Sequence, residues 1–206
     1  MGSSERKNRQ KVELRQQILD AARQIVVRDG FGALTMRKIA EAIEYAPGTI
    51  YLHFENRDAI AKQLCLEGYQ EMLEFLKPAA EIADPRSRLR AIALSYISFG
   101  IDRPETYRLI FMEDPKFTNA LLQGVPIEGA DGAGVAAFNL LIGIFDELRA
   151  KDLLAKDTDS PLLAQVLWTG VHGIVSLKLT CPAFLTTSAA DLGATAIDIF
   201  LAGSIG

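Results

Sequence analysis

Residues 33–60 read ALTMRKIAEAIEYAPGTIYLHFENRDAI, two short helical patterns separated by a break of four to five residues. In the first, Ile39, Ala40 and Ile43 fall on one side of a helix, and Thr35 stands where a hydroxyl caps the opening backbone N–H groups. The second opens on Pro47, whose missing N–H costs nothing in a first turn. It carries Gly48 and Thr49 and ends on Tyr51, Leu52, His53 and Phe54. A supporting helix, a tight turn and a short second helix form the layout of a helix-turn-helix, which sets its second helix in the major groove of DNA. Ahead of it runs a basic arm, Arg6, Lys7, Arg9 and Lys11. That arm fits a solvated tail and a DNA-tracking segment equally well.

The charge distribution agrees with a polyanion-binding front end. Residues 1–62 hold eleven Lys and Arg against eight Asp and Glu, net +3, while residues 63–206 hold eleven against eighteen, net −7. At 206 residues, 49% hydrophobic and 23% charged, the chain can bury a core and is not of disordered composition. Two cysteines, Cys65 and Cys181, are too few for a disulfide scaffold, and each reads as a small core residue in an apolar helix. The charged start lacks the apolar run of a signal peptide, and no apolar run reaches ~18 residues without charged or turn residues, so no membrane span is expected. The expected location is the cytoplasm.

Helical periodicity continues through the rest of the chain. A first helix carries Ile18, Ala21, Ala22, Ile25 and Val26 and stops at Gly30. Asn56 is expected to cap a fourth, running through Leu64 and Leu76 to about Pro78. Others start near Leu89, Pro104, Val135 and Ser160, and Ser188 is expected to cap the last, while Asp114 to Gly132 reads as a loop. No alternating strand pattern emerges. The expectation is an all-α fold of about nine helices: a helix-turn-helix domain over residues 1–57 and a helical domain over 58–206. Two helices, Leu162–Leu179 and Leu192–Ser204, are apolar on almost every face and need covering on both sides. A tightly packed monomer core would do this, as would a two-fold four-helix seam, here assigned to Leu167, Val171, Val175, Ile199 and Phe200.

From Leu14 to Ile60 the chain resembles the tetracycline-repressor (TetR) family of bacterial transcription regulators. The resemblance rests on Ile18-Leu19-Asp20-Ala21-Ala22, on Gly30-Phe31 and on Thr35-Met36-Arg37-Lys38-Ile39-Ala40. It continues through Gly48-Thr49-Ile50-Tyr51-x-His53-Phe54 and Asn56-Arg57-Asp58. The body resembles the family in helix count and order, and Trp168-x-x-x-His172-Gly173 is similar to a triplet in one subgroup. One residue departs from the pattern. Glu44 occupies a turn position where many members carry Gly, and a left-handed backbone there would cost Glu roughly 1 kcal/mol.

Residue chemistry and resemblance together define a candidate DNA-binding set: Thr35, Arg37, Pro47, Gly48, Thr49, Tyr51, Leu52, His53 and Arg57. Thr35 and Arg37 lie at a helix N-terminus that suits phosphate, and Thr49 is placed to meet a base edge or a thymine methyl. The resemblance implies phosphate contacts at Tyr51, His53 and Arg57, with Ile50 and Phe54 pointing inward. In the body, Tyr96, Phe99, Tyr107, Phe111, Phe138, Phe145, Trp168 and His172 form the candidate effector set, although helical spacing also makes most of them plain core. Trp168 and His172 share a helix face.

Gly132-x-Gly134-x-x-Ala137 imitates a dinucleotide fingerprint but follows no strand. No catalytic triad or metal-ligand spacing is present, so neither an enzyme nor a cofactor is expected. The leading expectation is a homodimeric repressor of a palindromic operator on bacterial nucleoid DNA, released by a small, mostly apolar effector, with no membrane partner. A ligand-independent regulator or an activator is the alternative, and a helical enzyme that binds no DNA is the third.

Overall fold

The computed structural model describes residues 3–113 and 132–204. Nine α-helices and one 3₁₀ turn make up the regular structure of those residues, with no strand among them. The helices are α1 (Ser3–Asp29), α2 (Met36–Ala42), α3 (Pro47–Tyr51), α4 (Arg57–Ala80), α5 (Pro85–Asp102), α6 (Pro104–Phe111), α7 (Ala133–Ala150), α8 (Ser160–Thr180) and α9 (Ala189–Ser204). The expected loop from Asp114 lies outside the described residues until Gly132, which caps α7 with φ +80°. Two compact units are present. The described residues of the head are 3–68 and 108–113, and those of the body are 69–107 and 132–204. The border between these compact units passes through α4 and α6.

In the head, α1 buries Ile18, Ala22, Ile25 and Val26 along one stripe and is closed by Gly30, whose φ of +78° takes the chain out of the helix. Its N–H returns to the Val26 carbonyl at 2.8 Å. The basic arm is no loose tail, because α1 begins at Ser3 and carries Arg6, Lys7, Arg9 and Lys11 as exposed residues of a continuous helix. Thr35 and Asn56 act as the expected caps, accepting from the Lys38 N–H at 3.1 Å and the Ala59 N–H at 2.9 Å. Ile39, Ala40, Ile50, Phe54, Ile60 and Leu64 complete the head core. Cys65 belongs to it, fully buried with its Sγ 3.8 Å from the Leu109 carbonyl.

In the body, α5 packs against α7, α8 and α9. Two glycines permit the closest approaches. A Cβ on Gly100 would collide with Val175 of α8, and one on Gly193 of α9 would collide with Ile97 of α5. Asp84, Asp159 and Ser188 cap α5, α8 and α9, and α8 opens at Ser160 as expected. Ser160 is fully buried and donates to Asp146 Oδ1 at 2.8 Å. The fourth helix runs two residues beyond Pro78, and α7 ends at Ala150.

α8 differs from expectation in the face it buries. By length and composition alone it is apolar enough to cross a bilayer, with Gly170 and Gly173 inside the run. Yet only 22% of that apolar window is buried within the chain. Leu167, Val171 and Val175, assigned above to a seam, form its inward face, with Val175 fully buried. A residue enclosed by its own unit offers nothing to a second copy, and the seam assignment is corrected accordingly. The outward face carries Leu162, Val166, Thr169, Gly170 and Leu177. On α9, Ile199 is 68% exposed, whereas Phe200 is half-buried and packs edge-on to Phe145. Cys181 is exposed at the end of α8 and is not a core residue.

Candidate functional site

Two arrangements carry chemistry, one in each unit. In the head, α2 and α3 are joined by a turn in which Glu44 has φ +59°, the left-handed backbone anticipated from its glycine-like position. Ile50 and Phe54 anchor the underside of α3 at 0% and 5% exposure. That anchoring turns Pro47, Gly48, Tyr51 and Leu52 outward, with Thr49 and His53 at the edge between core and solvent. Leu52, at 77% exposed, is a large apolar side chain with no intramolecular reason to be there. A Cβ on Gly48 would touch nothing in the chain, so the packing of the head does not demand a glycine. Its smallness leaves room for an outside surface.

Cations frame this face. Arg37 is exposed and paired with Glu41 across one turn at 2.7 Å, and Arg57 lies at the start of α4 beside Asp58 at 3.4 Å. Both pairs are solvent-exposed, so each costs little to break when a phosphate competes. His53 sits lower. Its Nδ1 is buried without a hydrogen-bond partner, and burial followed by the charges of Lys11 and Arg15 holds its pKa below the ordinary imidazole value. Arg15 was not legible in the sequence as part of this site. Its guanidinium carbon stands 4.2 Å from the centroid of the Phe54 ring, and no local spacing links residues so far apart.

In the body, Tyr96 of α5, Tyr107 of α6, and Trp168 and His172 of α8 meet. Trp168 Nε1–H donates to Tyr96 Oη at 3.1 Å. The two tyrosine hydroxyls are 3.2 Å apart, and His172 Nδ1 lies 3.0 Å from Tyr96 Oη and 2.6 Å from Tyr107 Oη. A neutral Nδ1 has one lone pair, so only one hydroxyl donates to it at a time. The shorter distance selects Tyr107. The hydrogen bonds then run in one direction, from Trp168 to Tyr96 to Tyr107 to His172, and place the imidazole proton on Nε2. Burial lowers the pKa of His172 and raises those of Tyr96 and Tyr107, so the whole chain of groups is uncharged at neutral pH.

The Tyr107 and His172 rings stack at 5.5 Å, and Phe138 of α7 meets Trp168 edge-on at 6.3 Å. The remaining members of the expected aromatic set pack elsewhere. Phe99 is fully buried and edge-on to Phe75, Phe145 is edge-on to Phe200, and Phe111 belongs to the head unit.

Comparison with known proteins accords with this division. Residues 18–64 match the bacterial regulatory proteins of the tetR family, and residues 89–200 match the tetracyclin repressor-like C-terminal domain. The HTH-type transcriptional regulator UidR of Escherichia coli K12 is 34% identical over 65 residues, which is 31% of this chain and 33% of UidR. The chain thus spans about a third of the length of such curated relatives. A protein of unknown function from Rhodococcus sp. RHA1 superposes with a TM-score of 0.74 at 24% identity, covering 94% of this chain and 96% of that one. The transcriptional regulator FadR of Bacillus subtilis, solved in complex with stearoyl-CoA, superposes with a TM-score of 0.73 at 20% identity, covering 91% and 98%. At these identities the superpositions speak for the fold alone. Two family domains matched in order, the second over more than half of the chain, join a helix-turn-helix built as described: the chain belongs to the TetR family of DNA-binding transcriptional regulators.

Proposed function

We propose that the protein is a homodimeric repressor acting in the bacterial cytoplasm, which binds a palindromic operator and is released by a small, mostly apolar effector held in the body. In this reading residues 1–57 read DNA and residues 58–206 bind the effector and pair the subunits. The observation that carries it is the uncharged chain Trp168–Tyr96–Tyr107–His172. It gathers an indole, two hydroxyls and an imidazole from three helices into aromatic surroundings, the make-up of a site for an apolar ligand with one or two hydrogen-bonding groups. Tyr107 is the last body residue of α6, and the same helix continues into the head from Arg108. A ligand that favours one position of α6 therefore has a covalent route to the DNA-reading unit, and it acts only through its difference in affinity between the two states. A neighbour in fold, Bacillus subtilis FadR, was solved with stearoyl-CoA, which is in keeping with a lipid-like effector.

Pairing is supported by the outward face of α8 and α9, where Leu162, Val166, Leu177 and Ile199 are exposed. An obligate interface buries about 2,000 Å² or more in total. Each subunit then presents one α3 to a half-site, with half-site centres about one helical turn of DNA apart or a little more.

The test is operator binding by mobility shift, using DNA upstream of the gene itself. Arg57→Ala should weaken binding to all sequences alike and reduce the salt slope by about 1. Thr49→Ala should cost about 1 to 3 kcal/mol of discrimination at one base pair. Wild-type protein that retards no such DNA, specific or not, would contradict the DNA-reading half of the proposal.

A further inference from the structure

Beneath the DNA face lies a polar chain that the proposed contacts do not use. Arg15 of α1 lays its guanidinium on Phe54, directly below the end of α3. Its Nη2 donates to Gln63 Oε1 of α4 at 3.1 Å. Gln63 Nε2 in turn reaches Glu67 Oε1 at 3.3 Å, and Arg23 of α1 closes the chain on Glu67 Oε2 at 2.7 Å. The two buried side-chain polar atoms left without a partner among the described residues are Arg15 Nη1 and His53 Nδ1. Both belong to this spot. A cation beside the ring favours the Nδ1 lone pair over an N–H there, which leaves the proton on Nε2 to be donated outward.

We infer that Arg15 is a positioning residue for the DNA reader: held from α4 by Gln63, its planar guanidinium sets the Phe54 ring and the adjoining His53 imidazole, and so the aim of α3, without contacting DNA itself. The inference rests on the reading that α3 and His53 face DNA. It assigns to Arg15 a part that Lys cannot play, since an ammonium neither stacks flat on a ring nor keeps a rigid fork toward Gln63. A phosphate contact, by contrast, tolerates Lys as a point charge.

The experiment combines operator affinity with histidine NMR on the full chain. The sequence holds two histidines, so His172→Gln leaves the His53 ring signal by itself. Arg15→Lys should weaken operator binding roughly tenfold, at an unchanged salt slope, and shift the His53 ring signal in the DNA-free protein. Gln63→Leu leaves Arg15 in place and should act in the same direction by about threefold. Arg15→Met, which removes the charge beside the ring, should move the His53 pKa upward toward the ordinary value.

Affinity of Arg15→Lys within twofold of wild type would overturn the inference. So would a salt slope reduced by about 1, which would make Arg15 a phosphate contact. Should Arg15→Lys fail to fold, Gln63→Leu decides, and an unmoved His53 signal with unmoved affinity overturns it. Wild-type protein that binds no operator contradicts the proposed function, while the His53 signals of the DNA-free variants still test the positioning of the ring.

Discussion

The head and the body solve opposite problems with the same element. The head turns its distinctive side chains outward: Tyr51 of α3 and Leu52 just after it are more than half exposed, and Gly48 faces open space. The body turns its distinctive side chains inward, with Tyr96 and Tyr107 buried against a half-buried His172. A surface that meets a polyanion must be accessible and cheaply desolvated, and its exposed ion pairs are easily exchanged. A group of hydroxyls, indole and imidazole inside a core must satisfy its own hydrogen bonds first, and the directed chain from Trp168 to His172 does so.

The largest expected effect breaks the body's outer face. Ile199→Asp, on the outward side of α9, should convert a dimer into monomers at micromolar concentration in sedimentation velocity and abolish operator binding with it. Val175→Asp is a different case, because that residue is enclosed by its own unit and the expected result is loss of folding. A dimer that survives Ile199→Asp and Val166→Asp together would place the seam elsewhere.

Glycine substitutions sharpen the comparison. Gly100→Ala drives a methyl into Val175 and should cost about 1 to 3 kcal/mol, read in urea unfolding. Gly48→Ala in the head meets no atom of the chain, so its unfolding midpoint should stay in place while operator affinity falls.

As pH falls from neutral, acid should act first through the histidines. Both are held below the ordinary imidazole value of 6.5, so the fold favours their neutral forms. The stability they contribute is in full above that value and is lost as pH falls through it toward their folded pKa values. The melting temperature of wild type should therefore decline below about pH 6.5. His172→Gln should show a shallower decline, and equal slopes in the two proteins would remove His172 from the account.

The smallest effect lies in the turn. Glu44→Gly relieves a left-handed residue and should gain about 1 kcal/mol, a rise in Tm of about 2–4 °C.

What the sequence made legible follows the same division. In the head, the decisive residues are near neighbours along the chain, so helical spacing assigned the caps Thr35 and Asn56, while the family resemblance implied the inward pair Ile50 and Phe54 and the glycine-like position of Glu44. Arg15 escaped that reading because it reaches Phe54 across the fold.

In the body the partners are far apart in sequence, Tyr96 and His172 by 76 residues, and helical periodicity says only that each is on an apolar side. Periodicity also fails on a helix that is apolar all round. It cannot tell which stripe of α8 faces α5, and so Leu167, Val171 and Val175 were placed on the wrong side. Composition likewise set Cys181 in the core, where the end of α8 leaves it exposed.

In the proposed function, the aromatic chain in the body controls the DNA face of the head. Trp168 is the single tryptophan of the sequence, so its fluorescence reports on that chain without interference. The most direct measurement titrates the protein–operator complex with apolar aromatic and acyl compounds, following Trp168 emission and operator release in the same sample. A compound that shifts the emission should also release the operator over the same concentration range, and His172→Gln should weaken both together. Compounds that saturate the emission change while the operator stays bound would contradict that control.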